Sequence, residues 1–279
     1  MRIEFTKMHG LGNDFIVFDL PPGAALPSAA QWRQLSDRHT GIGFDQALIL
    51  EPPRRADTDA YYRIVNADGS EVEQCGNGVR CIASLLQHRR HGQAAGQATL
   101  KLDSPAGLIE ARVLADGRVT VNMGVPDFEP AALPFLHSPR ALQYSRTVQG
   151  ATLQFGAVSM GNPHAVLQVV DVASAEVERI GPALQAHPDF PRSVNVGFLQ
   201  IVSASELRLR VYERGVGETQ ACGTGACAAV AVGRQLGLLA PEVQVRLPGG
   251  VLGVSWEGEG QPLWMTGPAV TAFEGSVRI

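Results

Sequence analysis

Two cysteines of this chain stand in almost the same local sequence. They begin the segments Cys75–Gly78 (CGNG) and Cys222–Gly225 (CGTG), and the two cysteines lie 147 residues apart. Each segment leads into an apolar run that favours a helix, over residues 79–86 and 226–236. Unpaired backbone N–H groups at the start of a helix carry partial positive charge, which favours thiolate over thiol. The spacing therefore predicts two thiols of lowered pKa that serve as acid and base in one pocket.

Two thiols suit one task in particular, the transfer of a proton from one face of a carbon to the other. Inversion of a stereocentre needs a base on one face and an acid on the other, and each turnover exchanges their protonation states. Matched groups keep this exchange nearly thermoneutral, and thiols titrate closer to neutral pH than carboxylates do. The backbone N–H groups of four residues are placed to hold an α-carboxylate and to stabilise the developing enolate-like charge, namely Gly76, Asn77, Gly223 and Thr224.

The asparagines of the chain gather around these motifs. Of the six asparagines, five lie at or beside the repeated motifs: Asn13, Asn66, Asn77, Asn162 and Asn195. A single asparagine is typical of a turn, but five grouped in this way indicate a binding site. A neutral amide offers both donors and acceptors, which suits a zwitterion that carries an ammonium and a carboxylate.

Three charged or titratable side chains accompany the motifs. Arg214 is a candidate to bind a second, distal carboxylate by a two-pronged contact, although a surface ion pair would explain it equally well. His164 and Glu213 are candidates to position or polarise a thiol. For a lone histidine, the alternative is a structural residue held by hydrogen bonds.

The predicted elements follow the same order in both halves of the chain. The first half predicts a helix at 29–37, with Ser28 and Gln31 as its capping box, and strands at 3–8, 15–19, 46–50, 60–65, 98–102, 107–114 and 118–123. The second half predicts a helix at 174–186 and strands at 152–159, 165–170, 195–202, 206–213, 243–247 and 250–256. The long helices follow the two cysteine motifs.

Matched landmarks keep nearly one offset along the chain. The pair Gly12-Asn13 lies 149 residues before Gly161-Asn162, and a polar residue, Asn66 or Glu213, stands nine positions before each motif cysteine. A constant offset over three landmarks indicates a duplicated architecture. We therefore expect an α+β fold of two pseudo-symmetric domains, each made mostly of antiparallel strands wrapped around a central helix.

Composition excludes several classes of partner. The 279 residues are 45% hydrophobic and 18% charged, with a formal net charge of −4 and scattered basic residues, which argues against nucleic-acid binding. The first residues show no apolar signal-peptide core, and no run of about 18 apolar residues exists to span a bilayer. We expect a cytoplasmic protein that binds no membrane.

Cysteine and lysine usage limits the available cofactors. The motif cysteines and their neighbours Cys81 and Cys227 miss the C-x-x-C spacing of zinc sites, so we expect no metal, and Cys81 and Cys227 suit buried apolar positions. Only Lys7 and Lys101 could form a Schiff base with pyridoxal phosphate, and neither lies in a recognisable phosphate-binding context. The glycine-rich segment 10–15 ends in phenylalanine and fails as a dinucleotide fingerprint. We therefore expect no cofactor.

These motifs resemble those of the diaminopimelate epimerases over nearly the whole chain. The resemblance rests on segments 9–15 (HGLGNDF), 41–46 (GIGFDQ), 66–70 (NADGS), 75–78 (CGNG), 161–164 (GNPH), 195–196 (NV), 213–219 (ERGVGET) and 221–225 (ACGTG). Members of this family interconvert LL- and meso-2,6-diaminopimelate without a cofactor, in bacterial lysine and peptidoglycan synthesis.

The resemblance implies roles for individual residues. It implies that Cys75 and Cys222 are the acid/base pair and that His164 and Glu213 support the thiols. It further implies substrate contacts from Asn13, Gln46, Asn66, Gly76, Asn77, Asn162, Asn195, Glu213, Arg214, Gly223 and Thr224. It also implies a homodimer and two domains, residues 1–122 together with the returning segment 267–279, and residues 123–266.

Two alternatives remain beside this interpretation. A proline or hydroxyproline racemase-like enzyme is similar in fold and also uses two cysteines. That family usually has a histidine after its first Cys-Gly and an aspartate before its second motif, where this chain has Asn77 and the pair Glu213-Arg214. Arg214 discriminates between them, because proline has no second carboxylate. A non-enzymatic relative that only binds a small molecule or partner would be expected to have lost a thiol, and both are present.

Overall fold

The computed structural model describes residues 2–20, 24–72, 75–91, 97–137 and 139–278. It divides into two compact units, Met1–Val121 together with Gly267–Ile279, and Asn122–Thr266. No helix in the described part of the chain is long and apolar enough to cross a membrane.

Among the residues that the structure describes, the first stretch of chain forms two helices and eight strands. In chain order they are β1 (Arg2–Gly10), β2 (Asn13–Asp19), α1 (Ala29–Ser36), β3 (Gln46–Glu51), β4 (Ala60–Asn66), β5 (Glu71–Val72), α2 (Gly76–His91), β6 (Ala98–Ser104), β7 (Gly107–Val113) and β8 (Val119–Asn122).

The remaining elements complete the second unit and then return to the first. They are a 3-10 helix (Pro130–Ala132), β9 (Tyr144–Val148), β10 (Ala151–Ser159), β11 (Pro163–Gln168), α3 (Val177–Gln185), β12 (Asn195–Ser203), β13 (Glu206–Glu213), β14 (Gly217–Glu218), α4 (Gly223–Gln235), β15 (Glu242–Leu247), β16 (Gly250–Trp256), β17 (Leu263–Gly267) and β18 (Val270–Arg278).

Both units use one sequence of strand pairings. In the first, β1 pairs antiparallel with β18 and β2, β2 runs parallel to β3, β3 is antiparallel to β4, β4 is parallel to β6, and β6, β7 and β8 form an antiparallel meander. In the second, β10 pairs antiparallel with β9 and β11, and β11 to β17 repeat the same order. Helices α1 to α4 supply the crossovers that parallel neighbours require. The predicted α+β class with two related halves is confirmed.

Local sequence explains where the elements begin. The capping box predicted for α1 is present, with the Ser28 hydroxyl accepting from the Gln31 backbone and the Gln31 amide oxygen accepting from the Ser28 backbone. Between β1 and β2 the two turn residues Leu11 and Gly12 have φ of 57° and 87°. Positive φ at both central positions is typical of the type I′ turn, whose twist matches that of the strands it joins. This tight turn sets Asn13 at the start of β2.

Five strands in the described part of the chain were not predicted from the sequence. Strands β5 and β14 have two residues each, and they form only because each folds back onto the preceding strand. Strand β9 follows a proline-rich segment, and β17 and β18 lie at the end of the chain. Strand β18 carries exposed residues on both faces, so it lacks the alternation by which a strand is recognised. Its pairing with β1 connects the two ends of the chain.

Each unit has its own aromatic core. In the first, Trp32 of α1 stacks on Phe18 at 5.8 Å between ring centroids and meets Phe44 edge-on at 6.3 Å. In the second, Phe135 stacks on Phe190 at 4.7 Å and meets Tyr144 edge-on at 4.8 Å. Such pairs stabilise a fold by about 0.5–1.5 kcal/mol beyond the area they bury. These cores fix the strands whose ends carry the candidate site residues.

Helix α4 is buried on nearly every side, and its sequence allows this. Ten of its residues are buried, most of them glycine, alanine or valine. Strand β10 approaches so closely that a Cβ added at Gly156 would lie 2.4 Å from Val232 of the helix. Small side chains on the helix and a glycine on the strand therefore let the strands enclose the helix that begins after Cys222.

Candidate active site

The first thiol lies at the start of α2, as the sequence predicts. The Cys75 carbonyl accepts the first helical hydrogen bond, from Val79 N at 3.0 Å, and its side chain is half-buried. The Cys75 Sγ lies 3.8 Å from the Oδ1 of Asn13, which also accepts from Asn77 Nδ2 at 3.1 Å. The tight β1–β2 turn and the first turn of α2 thus bring two of the predicted amides to the thiol.

Two more of the predicted amides meet at the ends of neighbouring strands. Gln46 on β3 is the register partner of Asn66 on β4, and its Nε2 donates to Asn66 Oδ1 at 3.0 Å. The other amide nitrogen, Asn66 Nδ2, donates to Ser70 Oγ at 3.1 Å. Both amides therefore have orientations fixed by neighbours, which leaves them with defined donor and acceptor faces.

The second thiol caps α4. The Cys222 side chain accepts from Gly225 N at 3.3 Å, and its Sγ lies 3.6 Å from Thr224 Oγ1. The residue is 4% exposed. Gly76 and Gly223 are the first residues of their helices, so their backbone N–H groups lack an intrahelical partner, as an anion site at a helix start requires.

The predicted lowering of the thiol pKa is wrong for Cys222. Burial and the negative charge of Glu213 raise the pKa of this thiol well above its usual value. The hydrogen bonds from Thr224 and from Gly225 N at the helix start act in the predicted direction, but they are outweighed. The neutral form of this buried thiol dominates in spite of the helix start, because a desolvated thiolate beside a carboxylate is unfavourable.

Glu213 contacts this thiol directly. Its carboxylate hydrogen-bonds to the Cys222 side chain and also accepts a short hydrogen bond from the Thr219 hydroxyl. It lies at the end of β13, and β14 folds back there to bring Thr219 within reach. An ionised carboxylate only accepts hydrogen bonds, so Glu213 holds the thiol in its protonated form.

His164 reaches the thiol through two intermediates. The ring is 1% exposed, and burial, aided by the charge of Arg214, lowers the pKa of His164 to about 3. Its Nε2–H donates to Asn162 Oδ1 at 2.9 Å, and Asn162 Nδ2 donates to Thr224 Oγ1 at 3.3 Å. Thr224 in turn contacts Cys222 Sγ. A neutral imidazole therefore orients the Asn162 amide, which orients the hydroxyl beside the thiol.

Asn195 and Arg214 form a third group in the second unit. Asn195 is buried, pairs in register with His164, and donates through Nδ2 to Pro163 O at 3.0 Å. Its Oδ1 accepts from Arg214 N at 2.9 Å. The Arg214 side chain is exposed, and one guanidinium nitrogen donates to the Arg192 carbonyl at 3.1 Å. The guanidinium is thus held by a backbone carbonyl while the side chain remains exposed.

The structure shows one network that the sequence did not assign to the site. Asp45 accepts from Asn13 Nδ2 at 2.9 Å, and Arg38 bridges Asp45 and Asp14 with contacts of 2.8 and 2.7 Å. Lys7 donates to Asp14 at 2.5 Å and to the Gly43 carbonyl by a shorter bond. Burial opposes ionisation of Asp14, but hydrogen bonds from Arg38 and Lys7 outweigh it and lower the pKa of this carboxyl to about 2. The signal in the sequence that could have indicated this network was a lysine, Lys7, in an apolar strand.

The other titratable candidates lie elsewhere. Cys81 and Cys227 are fully buried, as predicted, and burial raises the pKa of Cys81 to about 12. Lys7 is engaged in the ion pair with Asp14, whereas Lys101 lies exposed on β6. Across the residues that the structure describes, no group of three or more His, Cys, Asp or Glu side chains is arranged to hold a metal ion.

Comparison with known proteins identifies the family. The family model of diaminopimelate epimerase matches residues 5–129 and 156–272. The diaminopimelate epimerase of Ectopseudomonas mendocina (strain ymp) is 53% identical over 279 residues, and that of Pseudomonas fluorescens is 52% identical over 281 residues, with all of both chains covered in each case.

Solved structures show the same fold at low identity. A hydroxyproline epimerase from Agrobacterium vitis has a TM-score of 0.70 at 19% identity, covering 99% of this chain and 92% of the other. A protein from Pseudomonas aeruginosa described as a predicted epimerase has a TM-score of 0.70 at 18% identity, covering 99% of both chains. These likenesses concern the fold, whereas the family model and the full-length relatives decide the family. The chain belongs to the diaminopimelate epimerase family.

Proposed function

We propose that this protein interconverts LL- and meso-2,6-diaminopimelate by inverting one α-carbon without a cofactor. The observation that carries the proposal is the repetition of a cysteine at a buried helix start in both units, in a chain about half identical to diaminopimelate epimerases over its full length. Both cysteines stand among side chains that suit a zwitterionic substrate.

In the proposed reaction, Cys75 and Cys222 act on opposite faces of the α-carbon. One enters as thiolate and removes the α-proton, so that the C–H electron pair remains on the carbon as an enolate-like carbanion. The other enters as thiol and delivers its S–H proton to the opposite face. The products are the inverted α-carbon, a new thiol and a new thiolate, so protons and charge balance.

The surroundings of the thiols favour one resting arrangement. Burial and Glu213 keep Cys222 protonated, which makes it the acid of the resting enzyme. Cys75 is half-buried and lies beside the amide oxygen of Asn13, and in this proposal it must give up its proton to act as the base. His164 and Glu213 support Cys222, the first through Asn162 and Thr224 and the second by direct contact.

The proposed substrate contacts divide by charge. The backbone N–H groups at the two helix starts, from Gly76, Asn77, Gly223 and Thr224, bind the α-carboxylate at the reacting carbon and stabilise the carbanion. Arg214 binds the distal carboxylate, because its exposed guanidinium is anchored by the Arg192 carbonyl. The Glu213 carboxylate holds an ammonium group. The remaining amides hold the ammonium groups and the distal carboxylate, and they belong to Asn13, Gln46, Asn66, Asn162 and Asn195.

Hydrogen exchange tests this proposal most directly. Purified protein in D2O should incorporate deuterium at the α-carbon of diaminopimelate without added cofactor, and absence of incorporation would contradict the assignment. Cys75→Ala and Cys222→Ala should each lower epimerisation by at least about a hundredfold, since each removes an acid/base group.

The chain offers matched controls for these variants. Cys81→Ala and Cys227→Ala remove buried thiols from the same two helices, and activity should stay within about threefold of the unaltered protein because these side chains only pack. Near-normal turnover in either motif variant would refute the role of that thiol. Loss of activity in the controls as well would point to a folding defect.

A racemase of proline or hydroxyproline is the second candidate, favoured by the likeness of fold to the hydroxyproline epimerase. Arg214→Met distinguishes the two, because only diaminopimelate carries a distal carboxylate. The variant should raise KM for diaminopimelate by about tenfold or more, consistent with loss of a charged hydrogen-bond pair. Exchange of the α-hydrogen of proline that is independent of Arg214 would favour the racemase.

We further propose a homodimer that uses β18. This strand pairs with β1 and exposes five consecutive residues, among them Phe273 at 50% and Val270 at 42% exposure. An exposed aromatic ring on a strand is typical of a protein–protein contact. Phe273→Glu should convert the dimer to a monomer in sedimentation, and a dimer of undiminished stability would exclude this surface.

The two halves of the enzyme are proposed to be residues 1–122 with 267–279, and residues 123–266, and each half carries one motif cysteine. We place the protein in the cytoplasm, in lysine and peptidoglycan biosynthesis, as family membership suggests. Expression in a bacterium that lacks its own diaminopimelate epimerase should restore normal diaminopimelate isomer ratios. Growth without that restoration would argue against this role.

A further inference from the structure

The orientation of the Asn13 carboxamide is the feature from which a new role follows. Its Nδ2 donates to Asp45, while its Oδ1 faces Cys75 Sγ and accepts from Asn77 Nδ2. A carboxylate can only accept hydrogen bonds, so the nitrogen of the amide must face Asp45. The oxygen is consequently presented to the thiol.

Asp45 is itself fixed by several donors. Its Oδ2 accepts from Asn13 Nδ2 and from Asp14 N at 3.1 Å, and its Oδ1 accepts from Arg38 at 2.8 Å. The Asp45 N in turn donates to Asp14 Oδ1 at 3.1 Å. Asp45 and Asp14 therefore interlock across the strand ends, with Arg38 bridging both carboxylates.

The end of this network that is formed by Lys7 and Asp14 is rigid. Lys7 and Asp14 side chains are 10% and 13% exposed, and Lys7 is held at the same time by the Gly43 carbonyl. A buried pair satisfied on both sides has few alternative arrangements. The network connects β1, β2 and the loop before β3, and it ends at the amide beside Cys75.

We propose that Asp45 is a positioning residue, which fixes the Asn13 amide so that its oxygen, and not its nitrogen, faces Cys75. Here Asn13 Oδ1 accepts from the Cys75 S–H and stabilises the thiol. A reversed amide would donate to the sulfur and stabilise the thiolate. The proposal rests on the function proposed above for its significance in catalysis, but the orientation itself can be measured without any turnover.

Alkylation of Cys75 provides that measurement. In a Cys222→Ser background, iodoacetamide should label Cys75 selectively, since Cys81 and Cys227 are fully buried. Asp45→Ala removes the acceptor that orients the amide, so labelling of Cys75 at pH 7 should accelerate about fivefold, as expected for loss of one hydrogen bond to the thiol. The pH profile of labelling should shift towards lower pH.

A conservative variant separates orientation from charge. The Asp45→Asn side chain retains one acceptor oxygen. Two donors, Asp14 N and Asn13 Nδ2, point to one side of this side chain, whereas only the exposed Arg38 donates to the other, so the oxygen should remain on the side of Asn13. The labelling rate of this variant should stay within about twofold of the Cys222→Ser parent. If the lost charge alone were responsible, Asp45→Asn would accelerate as much as Asp45→Ala, which would overturn the proposal.

Other groups near Cys75 are unchanged in these variants. Tyr62 on β4 and Cys81 on α2 interact electrostatically with Cys75, and the buried Arg80 acts on Cys81 from the same helix. A shift in the labelling profile that appears when the network is altered, and not in the control variant, therefore reports the network. Asp116→Ala, which removes an exposed turn aspartate paired with Arg118, is the matched control and should leave the profile in place.

Two further results complete the test. Arg38→Gln removes a half-exposed bridge and should accelerate labelling in the same direction but less, which keeps the inference testable if Asp45→Ala does not fold. In the protein with both thiols, kcat should fall in Asp45→Ala and recover in Asp45→Asn. Equal labelling rates in all variants would refute the positioning role, whereas absent deuterium incorporation in the unaltered protein would refute only the proposed function.

Discussion

The buried His164 should make the stability of the protein fall in mild acid. Its pKa in the folded state is about 3, because burial excludes the charged form. In the unfolded chain the pKa returns to about 6.5. Between these values the unfolded state binds a proton that the folded state does not, so acidification favours unfolding. The contribution is absent above about pH 7.5 and grows as the pH falls from about 6.5 towards 3.

The magnitude follows from the linkage relation. Each pH unit below the unfolded pKa costs about 1.4 kcal/mol, so this histidine should lower the free energy of unfolding by about 2 kcal/mol at pH 5. His164→Phe removes the titration, and Phe15 occupies the corresponding register position beside Gln46 in the first unit, so a phenyl ring suits such a position. The variant also loses the hydrogen bond to Asn162, but it does so at every pH, so this loss cancels when the stabilities at two pH values are compared.

Urea unfolding at pH 7.5 and pH 5 tests this expectation. The decrease in unfolding free energy between the two pH values should be smaller by about 2 kcal/mol in His164→Phe than in the unaltered protein. His39→Gln, which removes an exposed histidine, should retain the full decrease. In NMR spectra the His164 ring signals should not titrate between pH 7.5 and 5. Equal decreases in His164→Phe and the unaltered protein, or a ring that titrates near pH 6, would refute the argument.

Two other variants test the second unit. Glu213→Gln removes the charge that raises the pKa of Cys222, so in a Cys75→Ser background alkylation of Cys222 at pH 8 should accelerate; an unchanged rate would show that burial alone sets this pKa. Gly156→Ala places a Cβ 2.4 Å from Val232 and should lower the free energy of unfolding by about 1–3 kcal/mol, whereas Gly197→Ala, whose nearest neighbour would be 3.5 Å away, should cost less than about 1 kcal/mol in the same urea titration.

The two halves of the molecule carry chemically different side chains at equivalent register positions. In the first, Phe15, Gln46 and Asn66 lie side by side on three neighbouring strands, whereas in the second His164 and Asn195 occupy the equivalent register. Glu213 stands at the sequence offset that Asn66 has from its cysteine. The Glu213 carboxylate therefore accompanies Cys222, at the position where the first unit has the neutral amide of Asn66. This difference makes the thiols chemically unequal although their local sequences nearly match.

Local signals in the sequence were sufficient for the elements of the site. The capping box of α1 and the helix start after Cys222 depend on residues within four positions of each other, and both are present in the structure. The duplicated order of strands followed from a constant offset between landmarks, which needs no knowledge of packing. The α+β class and the position of each motif cysteine before a buried helix were therefore predictable.

Contacts between distant segments were not predictable in this way. The Asn13–Asp45 hydrogen bond joins residues 32 positions apart, and Cys75 meets Asn13 across 62 positions. Strand β18 forms only because β1, at the other end of the chain, offers it a partner. Sequence patterns describe neighbours along the chain, and they carry no information on which strand ends will meet.

The sequence by itself determined that two cysteines stand at helix starts in a duplicated α+β chain, because helix capping and strand periodicity are local properties. Only the tertiary structure decided how the Cys222 thiol ionises and what surrounds Cys75. Burial and the carboxylate of Glu213 reverse the effect of the helix start on Cys222, and the network ending at Asp45 sets which face of Asn13 meets Cys75. Desolvation and charge pairing depend on the atoms that surround a group in space, and those atoms come from strands far apart in the sequence.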